Sequence, residues 1–97
     1  MQKGASMSAA EAVSSSLDPV VSWLEQTIRQ LVDHPEQVVI TPIGRGRNIV
    51  LEVRVPDVDV RKVIGRKGRY ADAIRDLLEA MGGKRRKNYI LEIIENY

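Results

Sequence analysis

A cationic turn bounded by two glycines is the part of this sequence whose residue types are best suited to binding chemistry. The turn reads Gly65-Arg66-Lys67-Gly68, and Arg69 follows it directly. Glycines at both ends let the backbone turn sharply and leave no Cβ between the chain and an approaching ligand. A helix predicted to begin just after the turn would direct its unsatisfied N–H groups toward a phosphate. The pattern therefore predicts contact with a sugar-phosphate chain.

The basic charge is concentrated in one part of the chain. The net charge is only +2 over 97 residues. Residues 44–87, however, hold thirteen basic and six acidic side chains, for a net +7, whereas residues 1–43 and 88–97 sum to −3 and −2. This segment includes the four consecutive cations Lys84-Arg85-Arg86-Lys87. Such asymmetry indicates a polyanionic partner, although Arg45 and Arg47 are ambiguous and are explained better by simple solvation than by a binding role.

The composition excludes several classes of site. The absence of cysteine excludes a disulfide framework, a thiolate metal site and a cysteine nucleophile. The single histidine, His34, has no evident second ligand or nucleophile and is predicted to lie in the last turn of a helix. Four acidic residues of the basic segment are expected to be helix caps or helix-surface charges: Asp57, Asp59, Asp72 and Asp76. We therefore expect no enzyme activity, no metal or other cofactor and no small-molecule substrate.

The chain is predicted to be a single cytoplasmic domain. No apolar run approaches the ~18 residues of a membrane span, and the N-terminus lacks the apolar region of a signal peptide. Residues 1–16 are small and rich in Ser and Ala, which predicts a flexible tail ahead of a domain at residues 17–97. Met1 and Met7 are both compatible with the true start.

The first half of the domain is predicted to be a helix followed by a β-hairpin. Between Asp18 and His34 the apolar residues follow helical spacing, with Asp18 as N-cap and Pro19 at the first helical position. That stripe consists of Leu17, Val20, Val21, Leu24, Ile28, Leu31 and Val32. Val- and Ile-rich strands follow at residues 37–43 and 48–55, separated by a short segment with two glycines, which is typical of a hairpin.

The second half is predicted to be two helices and a final strand. The first helix covers residues 58–64, with Asp57 as its cap and Gly65 at its end. The second runs from Arg69 to Met81 and is ended by Gly82-Gly83, and the last strand covers residues 89–95. A helical crossover makes the second and third strands parallel neighbours. The expected class is α+β, with the order αββααβ and three helices on one face of a three-stranded mixed sheet.

Two segments in this frame carry a resemblance to a known family. Residues 31–36 (LVDHPE) and 63–69 (VIGRKGR) resemble the type II KH fold, and more narrowly the small bacterial single-KH proteins of the KhpA type. The resemblance implies that Gly65, Arg66, Lys67 and Gly68 hold the backbone of about four nucleotides. It also implies RNA contacts from Arg69, a groove wall of Val60, Val63, Ile64 and Ala71, and a variable loop of Lys84, Arg85, Arg86 and Lys87 on the other side. Arg66 stands where lysine is more usual, and binding is expected to survive.

The resemblance also implies a function. The expected function is non-catalytic binding of single-stranded RNA by an RNA chaperone or post-transcriptional regulator linked to cell-envelope and cell-shape homeostasis. Expected partners are a second copy of the chain, a larger RNA-binding protein that also carries a KH domain, or both. Two alternatives stay open: an adaptor that acts through protein contacts with residual RNA binding, and a protein that binds single-stranded DNA.

The few aromatic residues receive separate predictions. Tyr70 is spaced with Ile74 and Leu77 so as to face the core. Trp23 lies off the apolar stripe of its helix. It is grouped with Val50, Ile90 and Ile94, which alternate onto the outer sheet face, as an expected protein interface.

Overall fold

The computed structural model describes residues 18–96, so the predictions for the tail at residues 1–16 and for the start at Met1 or Met7 lie outside it. The predicted order αββααβ is confirmed. The elements are α1 (Pro19–Leu31), a 3-10 turn (Pro35–Gln37), β1 (Val39–Arg45), β2 (Asn48–Pro56), α2 (Asp57–Ile64), a 3-10 turn (Arg66–Gly68), α3 (Arg69–Arg85) and β3 (Asn88–Asn96).

The three strands form one mixed sheet with β2 at its centre. β1 pairs antiparallel with β2, with Ile40 opposite Val53. β2 pairs parallel with β3, with Leu51 opposite Leu91. A parallel pair requires a crossover connection, and α2, the glycine turn and α3 supply it. The sheet architecture predicted from the strand order is therefore confirmed.

The helices cover one face of this sheet and enclose the core. Alternate residues of β2 (Leu51, Val53 and Val55) are fully buried in the same core cluster as Leu24 and Ile28 of α1. Burial of each such side chain contributes about 1.5–3 kcal/mol. The opposite face has no covering layer within residues 18–96, and this open face presents the other set of alternating side chains.

The start of α1 is tied to β3 through one carboxylate. Oδ1 of Asp18 accepts a hydrogen bond from the Val20 N–H at 2.9 Å, which confirms the predicted N-cap. Oδ2 of Asp18 accepts a second bond at 3.0 Å from the hydroxyl of Tyr89 on β3. Burial, together with the bond to Asp18 and its negative charge, raises the pKa of Tyr89 to about 12.

Two predicted helix boundaries need correction. α1 ends at Leu31 instead of His34, because Val32 is already extended and a 3-10 turn follows. α2 begins at Asp57, with Pro56 in the N-cap position. No side chain among the described residues caps α2, so the predicted capping role of Asp57 is wrong.

Asp59 is buried, which contradicts its prediction as a helix cap or surface charge. Its side chain has no exposed surface. The carboxylate accepts hydrogen bonds from the N–H groups of Asp33 (3.2 Å) and His34 (3.1 Å), and from Nδ1 of the His34 ring (2.9 Å). Burial alone would raise the pKa of Asp59, but these hydrogen bonds and the charge of His34 outweigh it and lower the pKa. The carboxylate thus fastens the segment after α1 to the first turn of α2.

The end of α3 also differs from the prediction. The helix continues through Gly82 and Gly83 to Arg85. It closes with a Schellman arrangement, in which the Lys87 N–H donates to the Gly82 carbonyl (2.8 Å) and the Arg86 N–H to the Gly83 carbonyl (3.3 Å). A Cβ on Gly82 would collide with the carbonyl oxygen of Lys87. Gly82 therefore permits the chain to fold back closely and does not end the helix.

Candidate nucleic-acid interface

The glycine turn between α2 and α3 has a backbone that other residues rarely adopt. Gly65, with φ 80° and ψ 168°, occupies a region that is essentially restricted to glycine. Lys67 (φ 56°) and Gly68 (φ 76°) are both left-handed. The Gly68 N–H donates to the Gly65 carbonyl at 3.0 Å and closes the turn. The chain thus reverses within four residues and presents its backbone at the surface.

Tyr70 packs against this turn instead of joining the core. A Cβ on Gly65 would lie 2.6 Å from the Tyr70 ring, so the glycine is required by close approach as well as by its backbone angles. The side chain of Tyr70 is 45% exposed, which shows that the core prediction for it is wrong. The guanidinium of Arg69 lies 5.9 Å from the ring centroid, within the range of a cation–π contact.

A surface pocket of about 610 Å³ lies at the junction of α2 and the turn. Its lining consists of Arg61, Ile64, Gly65, Arg66, Lys67 and Gly68. The structure thus brings five of the predicted RNA-binding residues together at one pocket. Arg61 was missed by the sequence analysis. It lies three residues before Ile64 and four before Gly65, and this helical spacing was the signal that could have placed it on the same face.

The cations of this pocket have no carboxylate partners. Arg61, Arg66 and Lys67 make no ion pair within 4.0 Å among residues 18–96, whereas the neighbouring Lys62 pairs with Asp33 at 3.3 Å. The N-terminus of α3 starts at the turn, and no side chain of residues 18–96 caps it. Unpaired cations and uncapped helix N–H groups at one surface favour an anion.

Most of the predicted apolar groove wall is core. Val60, Val63 and Ala71 are buried in the same cluster as the sheet residues. Only Ile64, which is partly buried, reaches the pocket. Because buried side chains cannot contact a ligand in this conformation, the observed groove wall is smaller and more polar than the predicted one.

The cation run lies away from the pocket. Lys84 and Arg85 are in the last turn of α3, and Arg86 and Lys87 follow it. α3 has 17 residues, which separates its ends by about 25 Å. None of the four side chains lines the pocket. The structure therefore does not support the expectation that this run forms a loop across one groove from the glycine turn.

The four residues predicted as a protein interface lie in two layers. Val50 and Ile90 are opposite each other on the open sheet face, and Ile94 lies further along the same face of β3. Trp23 is partly buried against the core in the helical layer, which corrects its predicted exposure. Ile43, missed by the sequence analysis, pairs with Val50 and extends the exposed row across all three strands.

A second exposed apolar feature lies on α3. Leu77, predicted to face the core, is 50% exposed. It is seven residues from Tyr70, so the two side chains project from nearly the same side of the helix. Ala73 between them is also exposed. The apolar surface of α3 is thus wider than the part of it that packs on the sheet.

Residues 18–96 contain neither a helix that could span a membrane nor a group of three side chains suited to a metal ion. No helix in that range has the length and hydropathy needed to cross a membrane. In the same range, no three His, Cys, Asp or Glu side chains are grouped so that they could hold a metal ion.

Comparisons with known proteins identify relatives of the chain. The model of the family described as KhpA/KhpB, KH domain, matches residues 22–93. An RNA-binding protein KhpA of Listeria monocytogenes is 47% identical over 68 residues, which cover 70% of this chain and 90% of that protein. The RNA-binding proteins KhpA of Aquifex aeolicus and Borreliella burgdorferi are 42% and 39% identical, over 74% and 77% of this chain and 91% and 92% of theirs. No solved structure gave a significant match.

Proposed function

This chain belongs to the KhpA/KhpB family of KH domains, a non-enzymatic RNA-binding family, and we propose that it holds single-stranded RNA with the turn Gly65–Gly68. In this proposal the turn contacts the backbone of about four nucleotides, as GxxG loops of KH domains do. Arg66 and Lys67 supply charge from the turn itself. Arg61 adds a third cation from the last turns of α2.

One observation carries the proposal. The pocket at the turn combines a glycine-dependent backbone with exposed cations that are free of carboxylates in the described part of the chain. A phosphate chain needs close approach, N–H donors and positive charge, and the turn offers all three. A neutral ligand would leave these cations without a function. The small apolar contribution, from Ile64 alone, suits shallow contacts with the bases and low sequence specificity.

Membership of this RNA-binding family supports a proposal for the wider role. We propose that the protein acts as an RNA chaperone or post-transcriptional regulator in the cytoplasm, with a link to cell-envelope and cell-shape homeostasis. A single site for about four nucleotides gives modest affinity, and pairing of two KH domains would raise it through avidity. We therefore include association with a second copy, or with a larger KH-containing RNA-binding protein, in the proposal.

The test of the turn is a double substitution, Arg66→Asp with Lys67→Asp. It reverses two charges at the pocket and leaves both glycines in place, so we expect RNA crosslinking to be lost while the circular dichroism spectrum is unchanged. The matched control is Arg29→Asp with Arg75→Asp, since both cations lie elsewhere on the surface, with Arg29 partly exposed and Arg75 exposed. The control should retain crosslinking. Equal crosslinking by the two variants would overturn the proposal.

The choice between RNA and single-stranded DNA needs a separate measurement. A phosphate clamp alone does not distinguish the two, because discrimination depends on the 2′-hydroxyl. We expect an unlabelled RNA oligonucleotide to displace labelled RNA at a lower concentration than the DNA of matched sequence. A DNA competitor that performs as well as RNA would favour the DNA-binding alternative.

The exposed apolar rows favour a second candidate function, that of a protein adaptor. Ile90 on the open sheet face is 43% exposed and Leu77 on α3 is 50% exposed. Ile90→Asp, Leu77→Asp and Trp23→Ala should be compared in sedimentation velocity and in a functional assay, beside the Arg66/Lys67 variant. If a folded interface variant loses assembly and activity while the turn variant keeps activity, the adaptor function is supported and RNA binding is residual.

A further inference from the structure

The tip of the β1–β2 hairpin lies beside the start of β3. Asn48 pairs with Asn88 in the parallel register. The Asn88 N–H donates to the Arg47 carbonyl at 2.6 Å, and the Asn88 side chain donates to Oδ1 of Asn48 at 3.2 Å. Arg47 and Lys87, which immediately precede these asparagines, therefore enter neighbouring strands about 4.8 Å apart. The fold thus joins two basic segments that are forty residues apart in sequence.

The end of α3 adds more positive charge at this place. The Schellman turn folds Arg86 and Lys87 back over the last helical turn, which contains Lys84 and Arg85. Together with the hairpin tip this makes a surface that we name the second cationic patch. It consists of Arg45, Arg47, Lys84, Arg85, Arg86 and Lys87, all of them exposed.

The cations of the second cationic patch have no ion-pair partner within residues 18–96. This contrasts with the paired cations elsewhere, such as Arg29 with Glu25 at 3.0 Å and Lys62 with Asp33 at 3.3 Å. Asp18, which is bonded to Tyr89 at the start of β3, has both carboxylate oxygens engaged in hydrogen bonds. Six unpaired cations at one end of the molecule repel one another, and a bound polyanion would remove that cost.

The residues around these cations indicate the kind of polyanion. Residues 44–48 and 84–88 consist only of Gly, Arg, Lys and Asn. A protein-protein interface normally has an apolar or aromatic centre, and this surface offers none in the two segments. A nucleic-acid backbone requires only cations and hydrogen-bond donors. The chemistry therefore favours a phosphate chain over an acidic protein.

We propose that the second cationic patch is a phosphate-binding site, separate from the glycine turn, for a further stretch of the same single-stranded RNA. This inference rests on the proposed function of the turn. The two sites lie at opposite ends of α3, about 25 Å apart, and the turn alone occupies about four nucleotides. Short RNA fills the turn without reaching the patch. Longer RNA engages both sites and binds more tightly.

The test is a triple substitution, Arg45→Gln, Arg47→Gln and Lys87→Gln, measured by fluorescence anisotropy with RNAs of about 4 and about 16 nucleotides. The matched control is Arg29→Gln, Arg54→Gln and Arg75→Gln, which removes the same charge from cations that are ion-paired elsewhere. We expect the patch variant to bind the short RNA within twofold of the unmodified protein and the long RNA about tenfold more weakly. Three lost phosphate contacts should also reduce the salt slope for the long RNA by about 2.

Each outcome bears on one of the two proposals. If the patch variant binds long RNA as tightly as the control does, the second site is overturned. The proposed function still stands in that case if the Arg66/Lys67 variant has lost RNA. Equal weakening on both RNA lengths would show that the patch is not a separate site. Poly-glutamate serves as a competitor at the concentration of negative charge at which unlabelled RNA displaces the long RNA. If poly-glutamate displaces the long RNA equally well, the patch binds acidic ligands in general and the RNA assignment is overturned.

Discussion

Nδ1 of His34 lies 2.9 Å from Oδ2 of Asp59, and this hydrogen bond joins the segment after α1 to the first turn of α2. The Asp59 carboxylate also accepts the backbone N–H groups of Asp33 and His34. α2 has only eight residues and leads directly into Gly65. The position of the glycine turn is therefore set in part by a buried carboxylate at the other end of the same short helix.

We expect Asp59→Asn to lower the free energy of unfolding at pH 7 by about 1–3 kcal/mol, because a neutral amide cannot accept all of these bonds. The substitution should also reduce acid sensitivity. The pKa of Asp59 is lowered in the folded state, so the unfolded chain binds the proton first as pH falls. The stabilisation is full above the ordinary Asp pKa of about 3.9 and is lost as pH falls through the lower folded value.

Urea denaturation at pH 7 and pH 3 tests this prediction. The loss of stability between the two pH values should be smaller in Asp59→Asn than in the unmodified protein. Asp57→Asn, an exposed position two residues away, serves as the control and should retain the original loss. An unaltered pH dependence in Asp59→Asn would contradict the assignment.

The two glycines of the turn should differ in their tolerance of alanine. In Gly68→Ala the new Cβ has room, because its nearest neighbour is Oδ2 of Asp72 at 4.0 Å. The only cost is the left-handed backbone, and we expect a loss of about 1 kcal/mol in the free energy of unfolding. Gly65→Ala has a more restricted backbone and also collides with the Tyr70 ring, so we expect at least about 2 kcal/mol. Thermal unfolding of both variants measures the difference. Tyr70→Ala combined with Gly65→Ala should recover part of the loss, and no recovery would argue against the collision.

Arg86 occupies the left-handed position that ends α3, with φ 57° and ψ 40°. Glycine is the usual residue there, so Arg86→Gly should raise the free energy of unfolding by about 1 kcal/mol. The control is Lys84→Gly within the last helical turn, which should lower it by about 0.5–1 kcal/mol. Chemical denaturation distinguishes the two. Destabilisation by both glycines would contradict the left-handed assignment.

Tyr89 should titrate well above an unperturbed tyrosine side chain. Its pKa is raised to about 12, whereas an unperturbed tyrosine has a pKa of about 10. The unfolded chain therefore loses this proton first as pH rises, so the stabilisation is present below pH 10 and is lost as pH rises toward 12. Ultraviolet titration of Tyr89→Phe should lack the highest transition, and Tyr70→Phe should keep it. A highest transition that survives in Tyr89→Phe would disprove the assignment.

Local patterns were enough to predict the element order and the turn, because apolar spacing and glycine positions act over a few residues. They could not predict the burial of Asp59, since His34 is 25 residues away in sequence. The extension of α3 depends on the hydrogen bond from the Lys87 N–H to the Gly82 carbonyl. The low helix propensity of glycine gives no indication of this contact. Leu77 follows the apolar spacing of α3, but the sheet covers only part of that apolar face and Leu77 lies outside the covered part. The position of Arg61 could have been predicted from the sequence, because it lies one helical turn before Gly65 on the same side of α2.

The parallel register of β2 and β3 has a consequence for folding. The hydrogen bond and the side-chain contacts within the glycine turn itself lie within a dozen residues, from Arg61 to Asp72, so they are local in the chain. The pairing of Asn48 with Asn88 closes a loop of forty residues, and such non-local contacts form slowly. Because the second cationic patch exists only after this closure, we expect a refolding chain to recognise short RNA before long RNA. The growth of length-dependent binding during refolding would then report the last step of sheet assembly.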